Sequence, residues 1–192
     1  MPLRIQKLVA LATLVVFAAT AVPATAPVPR KSDELLVVEP SGKVTPLSAL
    51  KGKVVVIEFE LVICPHCMRV AKMLDKLHRE LGPRGFQSVG IAFDNGLTGK
   101  KVTDFAQEVG TSYPIGSASS VTVDSFLGRK ANERLMVPQI VVIDRTGTIR
   151  AQSHPVREAN LEDENYLRNL VQSLLAETGA ANSPSKTSSP HR

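Results

Sequence analysis

Cysteine is scarce in this sequence: the 192 residues hold two, Cys64 and Cys67, three positions apart. Disulfide staples between distant parts of the chain are therefore excluded. In the chain-entropy picture a bridge stabilises a fold in proportion to the logarithm of the loop it closes, so a bridge between these two holds little together. Its use would lie in opening and closing. Histidine is scarce as well. His66, His78, His154 and His191 form no paired cluster and no second Cys-x-x-Cys exists, so a four-ligand zinc site lacks its ligands. Met68 stands where a c-type haem site needs a histidine directly after the second cysteine. No repeat and no long charge block is present. The formal charge of +5 includes Arg4 and Lys7 of the N-terminal stretch, and the excess is too small to argue for a nucleic-acid partner.

What is present starts with an export pattern. Arg4 and Lys7 precede an uncharged apolar run from Leu8 to Ala19, followed by small residues and prolines, which is the layout of a secretory signal. Leu8 to Val22 is short of the roughly 20 residues that span a bilayer, so cleavage after Ala21 is expected, with a retained membrane tether over 8–22 as the alternative. Either places the protein outside the cytoplasm, in a periplasmic or other extracytoplasmic space. The expected organisation is a signal peptide or anchor over 1–21, a linker over 22–32, one globular domain over 33–178 and a disordered tail over 179–192, where Ala, Ser, Pro, Thr and Lys dominate. With 43% hydrophobic residues the chain can fill one core of ordinary size.

Within that domain, Val54 to Ile63 is almost continuously apolar and β-branched, which predicts a central strand covered on both faces. It runs directly into Cys64. From Met68 to Leu81 apolar residues recur at helical spacing up to Gly82-Pro83. Strands are further expected at Leu35–Val38, after Pro40-Ser41-Gly42, at Phe86–Phe93, and over Pro138–Asp144 with Gly147–Arg150. Helices are expected at Thr98–Val109, Ser120–Leu127 and Glu162–Glu177. Strands alternating with helices, then a late hairpin, describe an α/β fold with a mixed central sheet flanked by helices.

The cysteine pair thus falls at a helix N-terminus, where unpaired N–H groups and the positive end of the helix dipole favour thiolate over thiol at Cys64. Cys67, one turn on, can attack a mixed disulfide formed at Cys64 and release the partner. Pro65 removes an N–H where the helix does not need it, and His66 can carry positive charge near the sulfur. The expected reading is a redox-active dithiol that needs no other cofactor and holds no metal. Copper held by the two thiols and His154 is the non-enzymatic alternative, that of a metallochaperone.

Two blocks, Gly52-Lys53-Val54-Val55-Val56-Ile57-Glu58-Phe59 ahead of Cys64-Pro65-His66-Cys67 and Val137-Pro138-Gln139-Ile140-Val141-Val142-Ile143-Asp144-Arg145-Thr146-Gly147-Thr148-Ile149 later, resemble thioredoxin-like thiol-disulfide oxidoreductases of the TlpA/ResA type. The resemblance covers most of 33–176. It implies a thioredoxin fold with an N-terminal β extension and a central αβ insertion, for which about 90–127 is the matching segment. It also implies Cys64 as exposed nucleophile, Cys67 as resolving thiol, Val137–Pro138 as a cis-proline turn that receives substrate, and protein dithiols or disulfides as substrates with a redox partner protein. A backbone beside such a turn can pair with an extended chain. Glu58, six residues before Cys64, matches the buried acid of thioredoxin. Buried there, it would have a raised pKa and could exchange a proton with Cys67. Many members of the type carry Asn at this position, and Glu60 and Ile63 stand where tryptophan is usual. For Glu60 a solvent-facing position is expected at least as much as a buried one.

The resemblance leaves the direction of electron flow open. Reduction or general exchange is the expected direction. Pro-His between the cysteines with Val before the proline is also the pairing of DsbA-type oxidases, which makes oxidation the alternative. A peroxiredoxin-like peroxidase shares the architecture, but Cys64 lacks the preceding Thr and Pro of such sites.

Overall fold

A computed structural model describes residues 26–129, 135–153 and 160–177. The expected signal or anchor over 1–21 lies outside the described residues, as do the tail from 179 and His154.

The fold is organised around the predicted central strand, β4 (Val54–Glu60), all seven residues of which are buried. Its alternation separates two apolar layers. Val54 and Val56 face the layer formed with helices α1 (Pro65–Leu81), α2 (Gly99–Val109) and α4 (Glu164–Ala176). Val55, Ile57 and Phe59 face the layer formed with α3 (Ser120–Leu127), Leu35, Val37 and Leu47. On this second side Phe59 and Phe126 lie with ring centroids 5.5 Å apart. An unbroken β-branched run is what a strand covered on both sides requires, since neither face has water to satisfy.

Seven further strands complete one sheet: β1 (Arg30–Lys31), β2 (Leu36–Val38), β3 (Val44–Pro46), β5 (Phe86–Ala92), β6 (Ile115–Ser117), β7 (Gln139–Ile143) and β8 (Thr148–Gln152). Their order is β1-β8-β7-β4-β5-β6-β2-β3. The pairs β4–β5 and β5–β6 are parallel, whereas β4–β7, β7–β8, β2–β3, β2–β6 and β1–β8 are antiparallel. This is the thioredoxin-like mixed sheet. The β2–β3 hairpin is the N-terminal extension, and α2 with β6 is the central insertion that carries the sheet outward to meet it.

Parts of the architecture differ from the sequence-based expectation. The sheet begins inside the segment expected to be a linker: Arg30 and Lys31 pair with Ile149 and Thr148, and the Ser32 N–H donates to the Gly147 carbonyl at 3.0 Å. Two polar residues carry no periodic signal, so this pairing could not be read locally. The strand entering Cys64 stops at Glu60, short of the expected Ile63, while the helix after it starts at Pro65 with Cys64 as its cap, at the N-terminus expected for the cysteine pair. β6, three residues long, has no periodicity to announce it.

Gly116 in β6 shows why the extension can dock there. A Cβ at this position would lie 2.8 Å from the Val38 nitrogen and 3.0 Å from the Val38 carbonyl oxygen, backbone atoms that cannot move without breaking the single β2–β6 register contact, Val38 to Ser117. Gly116→Ala is expected to lower stability by about 1–3 kcal/mol, measured by chemical denaturation with the unfolding slope unchanged.

Candidate active site

Cys64 is the N-cap of α1, with extended φ −90° and ψ 114°, and its Sγ accepts the Cys67 N–H at 3.4 Å. Pro65 occupies the first turn, where its missing N–H costs no hydrogen bond. The Cys64 N–H is held by the Leu61 carbonyl at 3.0 Å, a tight turn that swings the chain out of β4 and into the helix. A further hydrogen bond fixes that turn: the Val62 N–H donates to Asp94 Oδ2 at 3.0 Å. Both cysteines are free thiols. Cys64 is half-buried, Pro65 and His66 are exposed, and Cys67 is fully buried. Ile63, next to the outer cysteine, is 82% exposed.

Burial pushes the Cys67 thiol well up, and its hydrogen-bond relation to Cys64 and the charges of Glu58 and Cys64 add to the effect, while the Leu61 backbone opposes it. A thiol in this environment needs a base before it can attack. Glu58 supplies a carboxyl. Period-two alternation turns Glu58 and Glu60 to the same side as Val54 and Val56, against α1. Both have no exposed surface at all, which decides for burial where the sequence left Glu60 open between a solvent-facing and a buried position. The reason is register. Glu60 lies within β4, paired with Ala92 of β5, so the sheet buries it as fully as Glu58. None of the four carboxyl oxygens has a hydrogen-bond partner among the described residues.

Desolvation raises the Glu58 pKa well above its ordinary value, with Glu60, Cys64 and Glu162 adding to the rise. Desolvation raises Glu60 likewise, with Asp94 and Cys64 adding. Tyr113, whose hydroxyl donates to the Ala71 carbonyl at 3.3 Å, is raised by burial and then by Glu58, Glu60 and Asp75. The region beneath the cysteine pair is therefore apolar and negative in potential. It favours protons held on carboxyls and thiols.

The Val137–Pro138 peptide is cis. Pro138 is buried, Val137 half-buried and Met136 exposed. Because Phe59 pairs with Gln139, the register carries Pro138 to the end of β4 from which the chain turns to Cys64. The Gln139 side chain ties the turn down, donating from Nε2 to the Met136 carbonyl at 2.6 Å. Asp94, which holds the Val62 N–H, and Gly90, whose missing Cβ leaves room for Glu60, are the parts of the site that motif reading misses. Nothing in the local sequence marks these two, since each acts on a segment distant in the chain, whereas Gln139 lies inside the second motif block and acts on Met136 three residues before it. Among the described residues no group of three or more His, Cys, Asp or Glu could hold a metal ion.

A family model, Redoxin, matches residues 18–170. The chain belongs to the Redoxin family. With its buried and half-exposed cysteines at the start of α1, this Redoxin is a thiol-disulfide oxidoreductase. Solved structures of similar fold include a thiol:disulfide interchange protein of the thioredoxin family from Chlorobium tepidum TLS, 23% identical with a TM-score of 0.64 over 78% of this chain and 99% of that one. Another is the thioredoxin domain of a thiol-disulfide oxidoreductase from Bacteroides vulgatus, 18% identical with a TM-score of 0.63 over 79% and 99%. A third is a thiol:disulfide interchange protein from a Bacteroides species, 18% identical with a TM-score of 0.63 over 80% and 93%. No curated protein matches the chain. The resemblance read from the Gly52–Phe59 and Val137–Ile149 blocks agrees with the family and with these folds.

The raised carboxyls set a stability dependence of definite sign. A group whose folded pKa lies above its unfolded one stabilises the fold below the unfolded value, here 4.5, and loses that contribution as pH rises through the folded value. Relative to the parent chain, Glu58→Gln and Glu60→Gln Redoxin are expected to gain stability between about pH 4 and pH 8, on the order of 1–3 kcal/mol. Denaturant unfolding at the two pH values measures it.

Proposed function

We propose that this Redoxin reduces or exchanges disulfides of protein substrates outside the cytoplasm through Cys64-Pro65-His66-Cys67. The observation that carries the reading is the vertical order of the site: a half-exposed Cys64 capping α1, a fully buried Cys67 one turn behind it, and the buried Glu58 carboxyl beneath. The Arg4, Lys7 and Leu8–Ala19 export pattern supports the location. No helix among the described residues is long and apolar enough to cross a membrane, and residues 8–22, the alternative tether, lie outside them.

In the reducing direction the Cys64 thiolate attacks a substrate disulfide, forming a mixed disulfide and expelling one substrate thiolate. The Cys67 N–H, 3.4 Å from Cys64 Sγ, is placed to meet charge on that sulfur. Glu58, as carboxylate, takes the Cys67 proton. The Cys67 sulfur then attacks Cys64, the Cys64–substrate bond breaks, and its electron pair leaves on the second substrate sulfur. The substrate gains two electrons, and the enzyme is left with a Cys64–Cys67 disulfide for a dithiol partner protein to reduce. Val137 beside Pro138 offers backbone for a short strand pairing with the substrate. The apolar, exposed Ile63 and Met136 border the approach.

The test is insulin reduction with dithiothreitol as electron source, together with the potential of the Cys64/Cys67 couple. Cys64→Ser is expected to abolish turnover, and Cys67→Ser to accumulate the mixed disulfide. Glu58→Gln is expected to slow resolution about 10²-fold, and in the parent chain that step slows as pH falls through the raised Glu58 pKa. A potential near that of thioredoxin, about −270 mV, supports the reducing direction; one near that of DsbA, about −120 mV, sinks it in favour of oxidation.

A further inference from the structure

Glu60 has no part in the steps above, yet it is as costly a residue as Glu58. Its carboxyl is fully buried, and neither oxygen has a hydrogen-bond partner among the described residues. Apolar side chains occupy Val54 and Val56, earlier on the same face, without that cost. Room for the carboxyl comes at further expense. Gly90 sits inside β5, where glycine weakens a strand, and a Cβ there would stand 2.7 Å from Glu60 Oε1 and 2.9 Å from Ile115 Cγ1. Glycine is what leaves space for this oxygen between β4 and the neighbouring strands.

The surroundings contain acids from every direction. Glu58 lies two residues back on the same strand, Asp94 follows β5, and Cys64 opens α1 above. Cys67 and Glu162, the latter just before α4, bear on Glu58, and Tyr113 ahead of β6 feels both carboxyls as well as Asp75. Glu58 and Glu60 leave the same buried face of β4 two residues apart, with no hydrogen bond between them, and two carboxyls on one dry face cannot both ionise freely, so the charge of one bears on the proton of the other.

We propose that Glu60 titrates together with Glu58, so that the two carboxyls, coupled through charge across one buried face, form one titrating pair that receives the proton of Cys67 when the Cys64–Cys67 disulfide forms. The proposal rests on the exchange reaction given above. Before resolution the pair carries one proton and one negative charge. The Cys67 S–H bond breaks and its proton passes to the pair, which becomes doubly protonated and neutral. The sulfur electron pair forms the Cys64–Cys67 bond, and the Cys64–substrate bond breaks with its electrons going to the substrate thiolate. Glu60 is thus a positioning residue for the proton: it acts on Cys67 through Glu58 and fixes how much charge the site holds while the thiol is deprotonated.

Carbon-13 titration of the glutamate carboxyls tests this in the full chain, as dithiol and as disulfide, with Glu58→Gln and Glu60→Gln identifying the two resonances. Both carboxyls are expected to follow two-step curves with steps at least about one pH unit apart, a tenfold separation of proton affinities, and the curves are expected to shift between the two redox forms. In Glu60→Gln the Glu58 curve collapses to one step, and the pH profile of mixed-disulfide resolution loses one ionisation; Glu60→Asp keeps both. A Glu60 resonance that titrates identically in dithiol and disulfide forms overturns the proposal, as does a Glu58 curve unchanged in Glu60→Gln. If Glu60→Gln fails to fold, the redox comparison in the parent chain decides alone. A chain inactive in insulin reduction overturns the functional reading itself, whereas an active chain with a redox-independent Glu60 overturns only the pairing.

Discussion

Burial of both faces of β4 is the constraint from which the site follows. A strand between two helical layers cannot expose any side chain, so whatever residues its sequence places at the C-terminal end are desolvated whether apolar or not. Val54 to Phe59 meet that condition with apolar packing, interrupted by Glu58 and followed by Glu60. The same strand directs the chain into the turn that makes Cys64 a helix cap. Core and chemistry share one element here, and the carboxyls are dry because the sheet is covered.

That arrangement divides labour between the two cysteines by depth. Cys64 stands at the edge, half-buried and beside the exposed Ile63, where a folded or extended protein can reach it. Cys67 is enclosed and raised by burial, so in the proposed exchange it would attack only with a base at hand. The proposed two-step exchange needs an accessible nucleophile and a resolving thiol that is not: the first must find many partners, and the second must wait for one bond. The turn at Val137–Pro138, held by Gln139, closes the third side.

Much of the fold was legible because its elements carry strong local periodicity. The β-branched run of β4, the apolar spacing of α1 and the two-strand signal around Gly147 each state their own conformation, and the motif blocks identify how they are assembled. Two short strands, β1 and β6, were not legible. β1 is Arg30–Lys31 and β6 is Ile115–Ser117, pieces too brief for a period, formed because partners on distant segments present unpaired backbone groups.

The sequence by itself determined which chemistry is possible: two thiols one helical turn apart, a proline and a histidine between them, a carboxyl six residues ahead, and a later Val-Pro. Those are local spacings, and helix and strand geometry convert them directly into proximity. Only the tertiary structure decided the state of those groups. Whether Glu60 is wet or dry depends on β5 lying beside it, on Gly90 leaving space, and on α1 covering the face. Desolvation is a property of everything packed around a group, so no window of sequence contains it.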